Sequence, residues 1–253
     1  MHCRYGCITE DITGCGPFAI LLRGTMRLYD QIWVLDSRSF ESLQKIGALA
    51  DKVFLTPNSI DVTEQPDSRP KQYRKIAFCG NLLPTKGLYE LIQAVIKSDA
   101  ELNIIGPGTS EVIAEIGRLA GNELNRKIKL LGKLSNTQAV QKLKEVDIIA
   151  LPTYYDSEAF PISIIEAMSL TKMVISCPRA AIPDMLTSLD GTLCGILVEP
   201  KSADAIADAI TWCQKNKEKA DLMCVAAYQK VYSAYRKEIV YDIYRENYNR
   251  LYI

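Results

Sequence analysis

Residues 75–96 read KIAFCGNLLPTKGLYELIQAVI, and this stretch decides the fold of the chain. Its first five residues, Lys75–Cys79, are mostly apolar and predict a buried strand. A turn with a glycine at each end follows, Gly80–Gly87. Apolar residues then recur three and four positions apart through Leu88–Ile96, which predicts a helix with one apolar face. A strand, a tight turn and an amphipathic helix are the repeating unit of a parallel α/β sheet.

The same alternation continues towards the carboxyl end. Ser135 with Gln138 predicts a capping box at the start of one later helix, and Ser202 can cap another. We therefore expect residues 75–224 to form an α/β domain, a Rossmann-like parallel sheet with helices on both faces. The further strands are predicted at Leu102–Ile105, Ile128–Leu131, Asp147–Leu151, Met173–Ser176 and Gly195–Val198.

The flanking segments have a different character. Residues 62–74 carry two prolines, several charges and few apolar side chains, which is typical of a linker. Residues 1–61 contain one β-α-β pattern, and we expect them to be the remnant of an amino-terminal Rossmann-like domain, truncated at its amino terminus. Residues 225–253 are predicted to be helical and to pack back toward that part. Their tyrosines, mostly three or four positions apart, favour a packing stripe on one helix face over an aromatic ligand platform.

The composition excludes several classes of protein. The chain has 253 residues, of which 48% are apolar and 24% charged, unlike collagen, a disordered chain or a small disulfide scaffold. Thirty Lys and Arg balance thirty Asp and Glu, so no basic field favours nucleic acid as a partner. The apolar runs are far shorter than the ~20 residues that span a bilayer, and the start lacks the layout of a signal peptide. We expect a cytoplasmic protein.

The cysteines do not predict a metal site. There are eight of them without a C-x-x-C pair, and His2 is the single histidine. Zinc sites use closely spaced cysteine and histidine ligands, so we expect none. Cys79 and Cys177 lie in apolar runs, where a reduced cysteine behaves as a small buried hydrophobe. The alternative left open is a cluster near the start, at Cys3, Cys7 and Cys15.

Residues 157–168, SEAFPISIIEAM, carry most of the chemistry. They follow a predicted strand and so lie at the carboxyl end of the sheet, where open α/β folds bind ligands. Pro161 suits the first position of a helix, which leaves the backbone N–H groups of the next two residues as an anion site. Glu158 then lies in the loop and Glu166 on the helix, so both carboxylates can face one cleft. Two solvated surface acids are the alternative, although apolar neighbours favour partial burial of Glu166.

This stretch resembles the E-x7-E motif of the retaining glycosyltransferases of family four, whose GT-B architecture has two facing Rossmann-like domains. Gly80–Gly87 is similar to the family's G-R-x-x-x-x-K-G loop. Because the motifs keep their order along residues 30–215, the set is far more specific than any one of them. The other matching segments are Gly106-Pro107-Gly108, Val146-Asp147-Ile148 with Pro152-Thr153, Ile182-Pro183-Asp184 and Gly195–Val198.

The resemblance implies a role for each matching residue. Lys86 would hold the donor diphosphate as a point charge, and Glu158 would lie near the transferred sugar. Glu166 would accept hydrogen bonds from the ribose hydroxyls, while the N–H groups of Ile162 and Ser163 would meet the phosphate. The implied donor-binding set also contains Gly80, Asn81, Gly106, Gly108 and, where the base is held, Lys133 and Leu134. A solvated lysine and glycines that only permit tight turns are the simpler interpretations.

The chain departs from the family pattern at several places. Asn81 stands where the family has an arginine, so one cationic contact to the diphosphate is missing. Pro161 replaces a glycine and removes a backbone donor. Thr171-Lys172 replaces the glycine before the next strand, which we interpret as a change in a surface turn. His2 is at about the right distance from the first strand to be the family's catalytic sugar-side histidine, with an uninvolved terminal residue as the alternative.

The resemblance implies transfer of a hexose-type sugar from a nucleotide diphosphate sugar to an acceptor hydroxyl, with retention, in polysaccharide or glycan biosynthesis. The implied partners are that donor and a saccharide or lipid-linked acceptor, without a metal or other cofactor. The alternative is a catalytically weak or inactive nucleotide-sugar binding module that needs a partner chain. A sugar-nucleotide epimerase would need more histidines.

The sequence leaves open whether the protein associates with other chains or with a membrane surface. The candidates are a homo-oligomer, a partner chain and peripheral attachment at the inner face of the membrane. If most of the first domain is missing, apolar surface is expected on the strand Trp33–Leu35 and along the tyrosine stripe.

Overall fold

The computed structural model describes residues 2–3, 12, 14–62, 70 and 72–252. Its amino-terminal part is a small parallel sheet in the order β1-β2-β3, with strands β1 at His2–Cys3, β2 at Ile32–Val34 and β3 at Val53–Leu55. Helices α1 at Pro17–Met26 and α2 at Ser37–Gln44 and a 3-10 turn at Gly47–Lys52 connect and flank the strands. Asp36 starts α2, because its side chain accepts a hydrogen bond from the backbone N–H of Ser39 at 2.8 Å.

The larger part is a six-stranded parallel sheet in the order β6-β5-β4-β7-β8-β9. The first strand of this sheet in chain order, β4, therefore lies in its middle. Strands β5 and β6 form one half of the sheet, and strands β7, β8 and β9 form the other. The strands are β4 (Lys75–Cys79), β5 (Glu101–Ile105), β6 (Ile128–Gly132), β7 (Ile148–Leu151), β8 (Met173–Ser176) and β9 (Ile196–Leu197). The α/β fold class predicted from the sequence is confirmed.

Helices cover this sheet and bury its strands β7 and β8 completely. Burial of both faces of these strands explains the uninterrupted apolar sequence of β7 and of the first three residues of β8. The capping box of Ser135 with Gln138 and the cap at Ser202 form as predicted. The helices are α3 (Leu88–Lys97), α4 (Ser110–Ala120), α5 (Asn136–Lys144), α6 (Ile162–Ser169), α7 (Ile182–Met185), α8 (Ala203–Lys215), α9 (Lys217–Ala234) and α10 (Lys237–Asn249).

The carboxy-terminal tyrosines do not lie on one helix face, so the single predicted stripe is wrong. Helix α9 ends before Tyr235, and α10 starts two residues later. The break is held by Ile60, whose N–H donates to the Tyr235 carbonyl at 3.0 Å and whose carbonyl accepts from the Lys237 N–H at 3.1 Å. Tyr235 is buried, whereas Tyr241 is 61% exposed. Residues 224 and 225, the predicted end of the α/β domain, both lie within α9.

The strand Trp33–Leu35 is covered rather than exposed, which corrects the expectation of an apolar surface there. Val34 and Leu35 are buried, and the Trp33 ring packs against Tyr244 of α10 with 5.0 Å between ring centroids. The exposed large apolar side chains of this part lie elsewhere: Phe18, Ile20 and Leu21 on α1, Leu28 and Tyr29 just after it, and Leu55 on β3.

The pair Thr171-Lys172 is also not a surface turn. Thr171 and Lys172 are 1% and 2% exposed, and the Lys172 ammonium donates to the Lys144 carbonyl at 2.8 Å. Thr171 adopts φ 55°, a left-handed conformation that a glycine adopts readily and a β-branched residue does not. The departure from glycine therefore lies inside the core.

The predicted linker 62–74 is anchored close to its end by a buried tyrosine. Tyr73 is fully buried, and its hydroxyl donates to Asp221 Oδ1 at 2.7 Å. Burial raises the pKa of Tyr73 far above its ordinary value. Residues 63–69 and 71 of this segment, like Cys7 of the cysteine cluster, lie outside the described residues.

Candidate functional site

The candidate site lies where the strand order reverses, between β4 and β7. At such a switch point the loops after the two strands turn to opposite faces of the sheet and open a crevice beyond its carboxyl edge. The loop after β4 contains Gly80 and Lys86, and the loop after β7 contains Glu158. The two segments that the sequence singles out for chemistry therefore meet at one edge.

Backbone hydrogen bonds hold the neighbouring loops side by side. The Leu82 N–H donates to the Pro107 carbonyl at 2.8 Å, which joins the loops after β4 and β5. The Gly106 N–H donates to the Gly132 carbonyl at 2.9 Å, which joins the loops after β5 and β6. The Tyr154 N–H donates to the Thr85 carbonyl at 2.9 Å and ties in the loop after β7. Four successive loops thus form one connected rim.

Two glycines in this rim are required by the space around them. Gly106 has φ 143°, and a Cβ there would lie 1.8 Å from the Gly80 carbonyl oxygen. Gly87 has φ 73°, and a Cβ there would lie 2.1 Å from the Pro152 carbonyl oxygen. Close approach of backbone to backbone is the reason these positions are glycine.

Lys86 and Glu158 form an ion pair at the centre of the rim. The Lys86 ammonium donates to Glu158 Oε2 at 2.9 Å, and the two side chains are only 16% and 9% exposed. Lys86 ends a short 3-10 turn, Pro84–Lys86, directly before α3. A carboxylate withdrawn from water needs such a charged donor. The structure therefore brings together two residues that the sequence placed separately in the catalytic set.

Two tyrosines beside this pair were missed by the sequence analysis. The Lys86 ammonium lies 5.7 Å from the centroid of the Tyr155 ring. Tyr154 faces Glu90 of α3, to which its hydroxyl donates at 3.2 Å, and the Lys201 ammonium lies 5.1 Å from its ring centroid. Their position shortly after the end of β7 at Leu151 is the one signal that could have identified them.

Glu166 lies on α6 and is half-buried, as expected from its apolar neighbours. Burial raises the pKa of Glu166 above its ordinary value. The pKa of Cys79, at the end of β4, rises to about 11 through burial and through the charge of Glu166. Glu166 lines a cavity of about 420 Å³ together with residues of α5, among them Asn136 and Lys144.

The remaining predicted residues occupy the rim or lie beyond it. Helix α6 begins at Ile162, so Pro161 is the extended residue before the helix and not its first residue as predicted. The N–H groups of Ile162 and Ser163 belong to the first turn, where N–H groups lack helical acceptors. His2 pairs with Trp33 through the β1-β2 backbone; its side chain lies outside the described part. The exposed rim positions are Asn81, Gly108 and Lys133, and Leu134 is half-buried.

A contact between α2 and α7 links the amino-terminal part to the larger sheet. Asp184 of α7 accepts hydrogen bonds from the backbone N–H of Ser37, at 2.9 Å, and from the Ser37 hydroxyl. A cavity of about 530 Å³ lies beside this contact, lined by apolar residues that include Leu35, Phe160 and Tyr235. The carboxyl ends of both sheets therefore face a shared interior space.

The described residues contain neither a metal-binding cluster nor a membrane-spanning helix. Among those residues, no group of three or more histidine, cysteine, aspartate or glutamate side chains is arranged to hold a metal ion. No helix in the same part of the chain combines the length and apolar character needed to cross a membrane.

A parallel sheet in this order, with helices on both faces and a glycine-containing loop at its switch point, is a doubly wound, Rossmann-like α/β domain. The chain belongs to the family of glycosyl transferases group 1, which matches residues 60–230.

Curated relatives support the same family. A Bacillus subtilis protein, TuaC, named as a teichuronic acid biosynthesis glycosyltransferase, is 29% identical over 145 residues, which cover 56% of this chain and 33% of TuaC. A Corynebacterium glutamicum protein, named as a GDP-mannose-dependent monoacylated alpha-(1-6)-phosphatidylinositol monomannoside mannosyltransferase, is 26% identical over 177 residues, covering 61% of this chain and 45% of the relative. The chain thus spans between a third and a half of these relatives.

Solved structures agree on the fold. Anabaena Alr3699/HepE, determined in complex with UDP, superposes with a TM-score of 0.78 at 16% identity, covering 99% of this chain and 71% of that one. The described parallel sheet with flanking helices is therefore the architecture of GT-B glycosyltransferases.

Proposed function

We propose that this protein transfers a hexose-type sugar from a nucleotide diphosphate sugar to an acceptor hydroxyl, with retention, in polysaccharide or glycan biosynthesis. The observation that carries the proposal is the buried Lys86–Glu158 pair at the switch point of the sheet. A cation buried at this crevice fits a diphosphate, and a neighbouring carboxylate fits sugar hydroxyls. Relatives named for glycan assembly support the biological context.

The proposed contacts combine the rim geometry with the roles that the family resemblance implies. Lys86 neutralises the departing diphosphate, and the first N–H groups of α6, at Ile162 and Ser163, add helix-terminal donors. Glu166, further along the same helix, accepts from the ribose hydroxyls. Gly80, Gly106 and Gly108 let the backbone approach the phosphates, and the segment with Lys133 and Leu134 holds the base.

Transfer of this kind rests on position and charge more than on a protein nucleophile. The rim fixes the donor, and the charge that develops on the leaving diphosphate is stabilised by groups already in place. Because Asn81 is uncharged, the lysine carries this task without the arginine of the family pattern. We propose that no metal ion takes part and that the acceptor, a saccharide or a lipid-linked saccharide, enters between the two sheets, in the cytoplasm.

A catalytically weak nucleotide-sugar binding module is the second candidate. The observation that favours it is that the described residues of the amino-terminal part form a sheet of three short strands, with apolar residues of α1 exposed. Such a module would bind donor and depend on a partner chain for the acceptor. A transfer assay on the purified chain, with disaccharide and lipid-linked acceptors, separates the two candidates.

The first prediction concerns Lys86. Lys86→Ala removes the charged partner of the diphosphate and should weaken donor binding by about 1.5 to 3 kcal/mol, or roughly ten- to a hundredfold. Calorimetry with UDP-glucose, GDP-mannose and ADP-glucose, in buffer containing EDTA, measures the effect and tests metal independence together.

The matched control is Lys219→Ala, because Lys219 is an exposed lysine on α9, outside the candidate site. It should bind like the unaltered protein. If the Lys86→Ala protein bound each of these donors with the same affinity as the unaltered protein, the proposed site would be wrong. Binding that disappears in EDTA and returns with Mn²⁺ would contradict the metal-free mechanism.

A further inference from the structure

The crossover segment, residues 56–60, follows β3 and is anchored at every second residue. The Thr56 N–H donates to a carbonyl oxygen of β2 at 2.8 Å. The side-chain amide of Asn58 donates to the Phe160 carbonyl at 3.1 Å. The backbone of Ile60 bonds to both sides of the break between α9 and α10. One short segment therefore contacts the small sheet, the rim of the candidate site and the carboxy-terminal helices.

The Asn58 contact falls at a sensitive point of the loop after β7. Phe160 lies between Glu158 and the first turn of α6. The next residue, Pro161, has no backbone N–H, so the carbonyl oxygens before it carry the anchoring of this stretch. The Ala159 carbonyl accepts from a backbone N–H at the start of α7 at 3.1 Å, and the Phe160 carbonyl accepts from Asn58. Of these two anchors, Asn58 is the one that a side chain makes.

The ring of Phe160 fixes this point less firmly than the amide does. It meets the Tyr235 ring edge-on, with 5.3 Å between ring centroids, but it also lines the cavity of about 530 Å³. A ring beside a cavity has room to shift, because packing holds it from one side only. A hydrogen bond from the half-buried Asn58 defines both the direction and the distance of the carbonyl. The start of α6 therefore depends on this amide.

We propose that Asn58 is a positioning residue of the donor site. The inference rests on the proposed function, which places the donor diphosphate at the N–H groups of Ile162 and Ser163. Helix-terminal N–H groups act over a short range, so they bind phosphate well only when the first turn of α6 is correctly placed. Asn58 keeps that turn in place through the Phe160 carbonyl and acts without contact to the donor.

The same contact couples the donor site to the rest of the crossover segment. Coupling between two sites is reciprocal, so a donor that fixes the start of α6 also fixes Asn58 and the residues beside it. Ile60 carries this effect to the break between α9 and α10, to which its backbone is bonded. Occupation of the donor site and the docking of the last helix should therefore stabilise each other.

The test compares the affinities of the purified chain for a nucleoside diphosphate and for its nucleoside. The probes are UDP with uridine, GDP with guanosine and ADP with adenosine, and the pair that binds the unaltered chain is used. Calorimetry measures the diphosphate, and ligand-observed NMR measures the weaker nucleoside. We expect Asn58→Ala to weaken diphosphate binding roughly tenfold and to leave nucleoside affinity unchanged within about twofold. A merely structural role would weaken both.

Two further variants separate the hydrogen bond from packing. Asn58→Leu keeps a side chain of similar size but has no donor, so it should lose as much diphosphate affinity as Asn58→Ala. The matched control is Asn122→Ala, because Asn122 is an exposed asparagine in the 3-10 turn after α4 and outside the rim. It should bind like the unaltered protein. If Asn58→Leu also bound diphosphate like the unaltered protein, the amide would only fill space and the proposal would be wrong.

A second measurement uses the unaltered protein and does not depend on how well a variant folds. Saturating nucleoside diphosphate should slow hydrogen exchange of the Ile60 and Lys237 backbone N–H groups several-fold, because both lie in the contact at the helix break. If exchange slowed at Ile162 and Ser163 but not at these two groups, the coupling through Asn58 would be absent.

The outcomes distinguish this inference from the proposed function. If none of the nucleoside diphosphates binds the unaltered chain, the proposed function fails. If one of them binds, and Asn58→Ala lowers diphosphate and nucleoside affinities by the same factor or lowers neither, Asn58 is not a positioning residue, while the donor site stands.

Discussion

At the scale of single residues, Thr171 is the clearest strained position. It combines φ 55° in a β-branched residue with a buried hydroxyl that has no hydrogen-bond partner among the described residues. Both features cost free energy, and glycine removes both at the expense of some chain entropy. We expect Thr171→Gly to raise the free energy of unfolding by about 1 kcal/mol, measured by urea denaturation with an unchanged m-value.

The companion variant Thr171→Ala separates the two causes. It removes the hydroxyl and keeps the Cβ that disfavours the left-handed conformation, so its gain should be the smaller one. A Thr171→Gly protein that is less stable than the unaltered chain would show that the strain is absent.

The sequence predicts which residues lie at the rim, but not which side chains they contact there. Strands and glycine turns have local patterns, and the carboxyl ends of parallel strands meet at one edge, which is why the sequence predicts that Lys86 and Glu158 both lie in loops at that edge, although it does not predict their ion pair. The ring of Tyr155 beside Lys86 depends on the path of a loop 69 positions away. Burial of Lys172 depends in the same way on its contact with the distant Lys144 carbonyl. The prediction of a surface turn at Thr171-Lys172 was therefore wrong.

At the scale of elements, the turn that joins β4 to α3 depends on Gly87. Alanine there would place its Cβ 2.1 Å from the Pro152 carbonyl oxygen at a positive φ, so either the turn or the loop after β7 must move. We expect Gly87→Ala to cost at least about 2 kcal/mol of stability and to weaken donor binding, because Lys86 is the preceding residue. Thermal unfolding and calorimetry of the same samples measure both effects.

A matched control is present within α4. Gly117 is helical, and the nearest atom to an added Cβ is 4.0 Å away, on Leu124. Gly117→Ala should therefore stabilise the protein by roughly 0.5 to 1 kcal/mol through helix propensity and leave donor binding intact. If both alanine variants behaved alike, the close approach at Gly87 would be disproved.

At the scale of the whole molecule, two hydrophobic cores of unequal size are joined by the last helix. The described part of the smaller core is Ile12, Met26, Ile32, Val34, Leu43, Leu49 and Val53. A core of this size stabilises little structure alone. Helix α10 covers its sheet through the Trp33–Tyr244 ring contact, and the Gln31 amide donates to the Asn247 carbonyl at 2.5 Å. The amino-terminal sheet should therefore stay folded only while α10 is docked on it.

This dependence can be followed with a single tryptophan. Trp212 is 36% exposed on α8, so Trp212→Phe should be tolerated and leaves Trp33 as the reporter of the smaller core. In that background, Trp33 fluorescence and far-ultraviolet circular dichroism should give coincident urea transitions. Adding Tyr244→Ala removes the ring contact of a half-buried side chain, a loss of about 1 to 2 kcal/mol, so the Trp33 transition should move to lower urea and separate from the main one. Transitions that stay coincident and unshifted after Tyr244→Ala would mean that the small core does not rely on α10.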